Sequence, residues 1–156
     1  GPVVSKLQFD KIQHLIQQAI DEGIELVCGG TGRPDNFDKG YYVKPTIFAN
    51  VDNSSTLAQQ EIFGPVLAII PYQDDDEAIR IANDTPYGLC GYVSGGEARA
   101  MQLASQLRTG MVLLNGNEGS FDAPFGGYKQ SGNGRECAEY GFEDFLEIKA
   151  VMGIGD

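Results

Sequence analysis

Short apolar runs alternate with segments of helical periodicity along this chain, and that alternation limits the possible folds more than any other feature. The strand-like runs lie at 24–30, 41–51, 65–72, 88–94, 111–115 and 145–151. The helical segments lie at 5–23, 74–84, 97–107 and 137–144. Strands joined by helices pair in parallel, because the helix returns the chain to the same end of the sheet. The sequence therefore predicts an α/β fold, with a mostly parallel sheet and flanking helices.

The first helix has clear signals at both of its ends. Ser5 and Gln8 have the Ser-x-x-Gln spacing of a capping box at a helix start. Gly23 is expected to close the helix in the left-handed conformation. Between them an apolar stripe recurs at helical spacing, formed by Ile12, Leu15, Ile16, Ala19 and Ile20. The segment therefore predicts a helix that buries one face.

Residues 66–70 form the longest apolar run, which is typical of a strand covered on both faces. The run is far too short for a transmembrane helix. Apolar residues make up 42% of the chain and charged residues 21%, as in soluble globular proteins. With 156 residues, the chain is long enough for one ordinary domain with a core.

Charge and cysteine usage narrow the class of protein. Acidic residues outnumber basic ones by 22 to 11, which gives a formal net charge of −11. This balance argues against nucleic acid and anionic membranes as partners. Cys28, Cys90 and Cys137 show neither metal-ligand spacing nor a disulfide framework, and no secretory leader opens the chain. A cytoplasmic location without a metal site is therefore expected.

Glu61 and Phe63 stand two residues apart, directly before Gly64 and Pro65. In a strand their side chains would share one face, because side chains alternate with a period of two. A carboxylate beside an aromatic ring suits a ligand that is both polar and flat. The same pair also fits a surface charge beside a core ring, and the residues alone favour neither interpretation.

The glycine-rich stretch 115–135 is longer than a loop that only connects two secondary-structure elements, so a functional loop is expected. Its glycines suggest a phosphate-binding loop, but Asn133 stands where that motif needs a lysine. A loop that turns sharply and packs close to its neighbours fits better. The acidic run at 74–77 lacks the glycine of a calcium loop and predicts a helix start.

No nucleophile with a base is evident. His14 is the only histidine and lies on the polar side of the first helix, away from the apolar stripe. Cys28 and Cys90 occur in apolar strand contexts, where a thiol behaves as a small hydrophobe. Cys137 lies near a helix start and Arg135, a setting that favours a reactive thiol, but no base accompanies it. Buried or incidental thiols are therefore expected, and not catalytic ones.

Three aromatic residues, Phe121, Phe125 and Tyr128, cluster in the glycine-rich stretch. Several rings on one loop either wall an apolar pocket or pack as ordinary loop residues. The composition of the loop does not decide between these two interpretations.

Five motifs in order resemble the C-terminal part of the aldehyde dehydrogenase superfamily. They are GYYVKPTIF at 40–48, EIFGPV at 61–66, NDTPYGLCGYV at 83–93, PFGGYKQSGNGRE at 124–136 and EYGFEDFLEIKAV at 139–151. The opening GPVVSKLQFDKI also resembles a family segment, so the likeness runs from Gly1 to about Val151.

The resemblance implies an NAD- or NADP-dependent oxidation of a small-molecule aldehyde to a carboxylic acid. In this family a cysteine thiolate forms a thiohemiacetal and then a thioester, which a glutamate-activated water hydrolyses. None of the three cysteines here aligns with that nucleophile, and the nucleotide-binding domain precedes the matched segment. The chain is therefore expected to be an inactive fragment without a catalytic residue.

The resemblance also implies roles for individual residues. Glu61 corresponds to the carboxylate that binds the ribose hydroxyls next to the nicotinamide, and Phe63 packs near that ribose and ring. Phe125 and, more weakly, Phe121 correspond to the aromatic lining of the substrate tunnel. Residues 1–144 would belong to the catalytic domain, and 145–156 would form a closing strand towards the oligomerisation sheet of a homodimer or homotetramer.

Two alternatives stay open on the sequence alone. One is a non-enzymatic, aldehyde-dehydrogenase-like module retained for association. The other is a branch of the family that makes an acyl-CoA. The choice between NAD and NADP and the identity of the aldehyde also stay open.

Overall fold

The computed structural model describes residues 1–153. They fall into two compact units, of which the first is Gly1–Asp74 and the second begins at Asp75. The elements of the first unit are α1 (Lys6–Asp21), β1 (Glu25–Cys28), β2 (Thr46–Ala49), α2 (Thr56–Gln59) and β3 (Val66–Ala68). Those of the second are α3 (Asp75–Asn83), β4 (Cys90–Val93), α4 (Glu97–Ala104), β5 (Met111–Leu114), a 3₁₀ turn (Lys129–Ser131) and α5 (Ala138–Glu143).

The sheet of the first unit has the order β1-β2-β3. β2 and β3 run parallel, with Thr46 opposite Val66. β1 and β2 run antiparallel, because the segment 29–45 between them contains no helix to return the chain. In the second unit β4 and β5 form a parallel pair, and α4 connects them. The predicted α/β class, with mostly parallel pairing, is confirmed.

The core of the first unit forms between α1 and the sheet. Ile12 and Ile16 of α1 are fully buried together with Phe48 of β2, and Leu57 of α2 joins the same cluster. α1 begins where expected, since Ser5 Oγ accepts a hydrogen bond from Gln8 N at 3.2 Å. The helix is followed by Gly23 at φ +78°, the left-handed position predicted for it.

β3 is buried on one face only, so the prediction of a strand covered on both faces is wrong for this unit. Val66 and Ala68 pack against the core cluster, whereas Leu67 is 55% exposed and Ile69 is 47% exposed. The core cluster lies against one side of the strand, and residues that alternate with it point away. A continuous apolar run cannot by itself distinguish one covered face from two.

The end of the chain shows no strand within the described residues. Asp144 and Phe145 follow α5 in a turn, and the chain from 146 to 153 has no regular structure. The predicted closing strand extends to 156, beyond the described residues, and its pairing partner would be another subunit. It stays a prediction. None of the helices within residues 1–153 has the length and apolar character that a membrane crossing requires.

Candidate functional site

The segment 60–65 leaves α2 without regular structure and is fixed by the core beneath it. Ile62 is 9% exposed and belongs to the core cluster. Gly64 lies against α1: a Cβ at this position would come within 2.6 Å of Ile12 Cδ1, so the close approach requires glycine. Pro65 O accepts a hydrogen bond from Thr46 N at 2.9 Å, which directs the chain into β3.

Phe63 has a left-handed backbone, with φ +60°. This conformation costs roughly 1–2 kcal/mol for a residue with a Cβ, and it is an outlier for a bulky side chain. The ring is nevertheless 71% exposed, so burial of the ring does not offset the cost. Strain of this kind persists where surrounding contacts impose it, and it is concentrated at functional sites.

Two side chains of α1 bind the backbone of this loop. Gln8 Nε2 donates to Ile62 O at 2.9 Å and to Phe63 O at 3.2 Å. Lys11 Nζ donates to Glu61 O at 3.3 Å. The capping-box prediction found Gln8 but assigned its side chain to the helix start, and the structure directs the side-chain amide to the loop instead.

Glu61 and Phe63 line one open groove of about 510 Å³, together with Leu57, Gln60, Ile62, Gly64, Val66 and Ala68. Glu61 is exposed, and within residues 1–153 its carboxylate has neither a hydrogen bond nor an ion pair. The two residues do not share a strand face, because the left-handed turn at Phe63 breaks the alternation. The structure still brings them to the same groove, where both carboxylate oxygens can accept hydrogen bonds.

In the second unit the glycine-rich stretch packs main chain against main chain. A Cβ on Gly110 would collide with the carbonyl oxygen of Gly126, and one on Gly126 would collide with that of Gly134. The stretch turns sharply and packs closely, as predicted. Its amides also serve internal contacts: Tyr128 N donates to Gly88 O at 2.8 Å.

Both cations of this stretch are bound to carbonyl oxygens. Lys129 Nζ donates to Asn83 O at 2.8 Å, at the end of α3, and to Thr85 O at 3.0 Å. Arg135 Nη1 donates to Gly127 O and Gly134 O, each at 2.9 Å. Sequence reasoning missed these roles, although a lysine and an arginine among glycines are typical of side chains that bind exposed backbone carbonyls. Neither cation is arranged to hold a phosphate.

Phe121 and Phe125 line one cavity of about 440 Å³, with Met111, Glu118, Gly119, Ser120, Ala123, Glu136 and Cys137. Phe125 is held by two backbone hydrogen bonds with Glu136, at 2.8 and 2.7 Å. Its ring is 40% exposed, whereas that of Phe121 is 89% exposed. Of the two predicted lining residues, Phe125 is therefore the better fixed.

The remaining candidates stay outside these two sites or lack a base. His14 is exposed, as its position on the polar side of α1 predicted. Cys28 lies in a strand, as expected, and is exposed like the other three residues of β1, which agrees with an incidental thiol and not with a buried one. Cys90 is half-buried, and its hydrogen bond raises the pKa of Tyr92 above the ordinary value. Among the described residues no His, Cys, Asp and Glu cluster suits a metal ion.

Comparison with known proteins agrees with the family resemblance of the five sequence motifs. The model of the aldehyde dehydrogenase family matches residues 1–151. A 3-succinoylsemialdehyde-pyridine dehydrogenase from a Pseudomonas species is 60% identical over 98% of this chain and 32% of its own length.

Solved structures give the same result. A mutant of aldehyde dehydrogenase C from Pseudomonas syringae, solved with NAD+ and octanal, superposes with a TM-score of 0.96 at 48% identity. The match covers 100% of this chain and 33% of that one. An aldehyde dehydrogenase from Mycobacterium tuberculosis, solved with NAD+, gives 0.89 at 48% identity over 93% of this chain and 30% of its own. The chain thus spans about a third of these relatives, and it belongs to the aldehyde dehydrogenase family.

Proposed function

We propose that this chain forms part of an NAD(P)-dependent aldehyde dehydrogenase, which converts an aldehyde, water and NAD(P)+ into a carboxylate, NAD(P)H and two protons. Family membership over residues 1–151 supports the reaction class. The NAD+ complexes of two solved relatives support the cofactor class. The chain itself is expected to contribute binding groups to this reaction and no nucleophile.

The exposed carboxylate of Glu61 beside the ring of Phe63 is the observation that carries the proposal. Two hydroxyls on adjacent ribose carbons can each donate to one oxygen of a single carboxylate, and these charge-assisted bonds are strong. The exposed ring of Phe63 offers a flat apolar face in the same groove as that carboxylate. The residues of the groove therefore fit a sugar that carries a heterocycle. When bound, the nicotinamide supplies a hydride acceptor.

The chain's own contacts hold the loop in place, which favours binding. Ile62 is inserted into the core, Gly64 lies against Ile12, and Gln8 binds two carbonyls of the loop. Ordering a loop at the moment of binding would subtract from affinity, and an already ordered loop avoids that cost. The chain thus orients the sugar, and with it the attached ring, relative to the reacting carbon.

For the substrate we propose an aldehyde with an apolar or aromatic body, contacted by Phe125 and Phe121. The cavity next to these rings also contains Met111 and Ala123, which are apolar. The relatives point the same way, since one is named for a pyridine semialdehyde and another was solved with octanal. Ring packing alone separates similar aldehydes only modestly.

Location and assembly extend the same proposal. The composition favours a cytoplasmic enzyme without nucleic-acid or membrane partners. The segment 145–156 is proposed to pair with another subunit in a homodimer or homotetramer. The exposed side chains of Phe145, Ile148 and Val151 support this role, because burying them would require a partner surface.

The test uses the full-length protein that carries this chain. NADH formation with octanal is measured in a single turnover for the unmodified protein, for Glu61→Gln and for Glu97→Gln. Glu97 is exposed at the start of α4, in the other unit, so Glu97→Gln removes one negative charge just as Glu61→Gln does. We expect Glu61→Gln to slow hydride transfer by about tenfold or more, since it loses charged acceptors for two hydroxyls. An unchanged hydride-transfer step in Glu61→Gln would contradict the assignment.

A further inference from the structure

The side chain of Gln8 contacts the backbone on both sides of Phe63, the strained residue of the groove that we propose for the cofactor. Its side-chain amide binds Ile62 O and Phe63 O, which lie 54 and 55 residues further along the chain. These two carbonyls belong to the peptide groups on either side of the Phe63 Cα. Rotation about φ or ψ of Phe63 turns one carbonyl relative to the other. One amide that binds both oxygens therefore restrains both torsions.

Gln8 takes part in the helix start through its backbone N–H. Ser5 Oγ already accepts the hydrogen bond from Gln8 N. Phe63, in contrast, needs external support, because it is left-handed at φ +60° while its ring is largely exposed. Gln8 is half-buried, and its hydrogen bond to Ile62 O is partly shielded from competing water.

We propose that Gln8 is a positioning residue of the cofactor site: it holds the left-handed turn at Phe63 and thereby orients both the Phe63 ring and the Glu61 carboxylate. Lys11, one turn further along α1, adds a contact to Glu61 O at 3.3 Å. This inference rests on the proposed function of the Glu61–Phe63 groove. It assigns α1 a role in cofactor binding that acts through the loop.

The chemistry of the contact explains why the residue is glutamine. Carbonyl oxygens only accept hydrogen bonds, so their partner must supply donors, and Nε2 supplies two. Glutamate has nearly the same shape and serves equally well in a capping box, but at neutral pH it only accepts. Gln8→Glu therefore removes the donors and places a negative charge against two carbonyl oxygens, with little change of volume.

The experiment measures NAD+ affinity, single-turnover hydride transfer and the aldehyde KM in the full-length protein. We expect Gln8→Glu to weaken NAD+ binding by about tenfold, as for the loss of two ordinary hydrogen bonds, and to leave the aldehyde KM unchanged. Gln8→Met, which has no charge and no donor, should give a similar loss and covers the case in which Gln8→Glu folds poorly. Gln17→Glu makes the same chemical change on the exposed side of α1, where the Gln17 amide binds Asp21, and should leave NAD+ affinity and the aldehyde KM unchanged.

A double-mutant cycle with Glu61→Gln decides between action through the loop and direct action on the cofactor. If Gln8 orients Glu61, the losses from Gln8→Met and Glu61→Gln overlap, and the double variant is less impaired than their product predicts. Multiplicative losses would overturn the positioning role. If NAD+ binding and hydride transfer are normal in Gln8→Met but impaired in Glu61→Gln, the positioning role of Gln8 is wrong while the proposed function of the groove stands. If both are normal in Glu61→Gln, the proposed function of the groove is wrong.

Discussion

Gly64 and Ile12 are in direct contact, and a Cβ on Gly64 would come within 2.6 Å of Ile12 Cδ1. Ile12 is 0% exposed, so its side chain has no free space into which it could move. The contact joins the segment 60–65, which carries Glu61 and Phe63, to the interior of the first unit. Stability of the core and geometry of the loop are therefore coupled at this point.

Gly64→Ala is expected to destabilise the protein by about 1–3 kcal/mol, the usual cost of overpacking a filled core. Thermal or denaturant unfolding measures the change. Gly95→Ala is the matched control, because no atom lies within 4 Å of a Cβ on Gly95 and its φ is not left-handed. If the two variants unfold alike, the contact between Gly64 and Ile12 is looser than described.

Substitutions at Phe63 separate the backbone strain from the role of the ring. Phe63→Gly and Phe63→Ala both remove the ring, and both should weaken NAD+ binding. Only glycine accepts φ +60° without strain, so Phe63→Gly should be the more stable of the two, by about 1 kcal/mol. Denaturant unfolding and NAD+ titration of the two variants give the comparison. Alanine giving the more stable protein would contradict a left-handed Phe63.

Phe125→Ala should change the order of preference among aldehydes more than it changes cofactor affinity. Removing the ring enlarges the cavity, so the preference should shift towards bulkier aldehydes by roughly tenfold or less. The ratio kcat/KM for short, long and aromatic aldehydes measures the shift. Phe121→Ala should have a smaller effect, because that ring is 89% exposed. An unaltered order with weakened NAD+ binding would place Phe125 at the cofactor instead.

The ion pair between Asp75 and Arg99 predicts a pH dependence of stability. Hydrogen bonds from the Arg99 guanidinium, one of them from Nε at 2.7 Å, lower the pKa of Asp75 below its ordinary value of 3.8. A lowered pKa in the folded state stabilises at pH values above the ordinary pKa, and this contribution is lost as the pH falls through the lowered one.

Arg99→Gln should therefore be less stable than the unmodified protein at neutral pH and should lose that difference in strong acid. The effect should be small, because exposed ion pairs contribute little. Thermal unfolding at a series of pH values measures it. A difference that persists below the pKa of Asp75 would show that Arg99 acts through other contacts.

The fold was largely predictable because its signals are local. The apolar stripe of α1, its cap at Ser5 and the left-handed Gly23 depend on neighbours within a few residues. The antiparallel direction of β1 depends on the absence of a helix in 29–45, which the turn-rich sequence already suggested. The exposed face of β3 could not be predicted, because it depends on which elements pack against the strand and not on the strand itself.

The structure brings the two residues of the motif, Glu61 and Phe63, to one groove, but by a geometry that the sequence did not predict. The motif around Glu61 and Phe63 identified both residues, but alternation in a strand was the wrong reason for their proximity. A left-handed phenylalanine has no sequence signal, because its conformation is imposed by Gln8, Ile62 and Gly64. The contact of Gln8 with the loop could not be predicted from the sequence, because the spacing of Ser5 and Gln8 already matches a capping box.

The contact between Gly110 and Gly126 has a consequence for tolerance to change. Where side chains separate two segments, a substitution can be absorbed by a new rotamer, but here peptide groups touch and no rotamer exists to adjust. The distance between β5 and the glycine-rich stretch is thus set by van der Waals contact between backbone atoms. Substitutions in the surrounding sequence can therefore alter what the Phe125 ring contacts, while the backbone position of the neighbouring Gly126 stays the same.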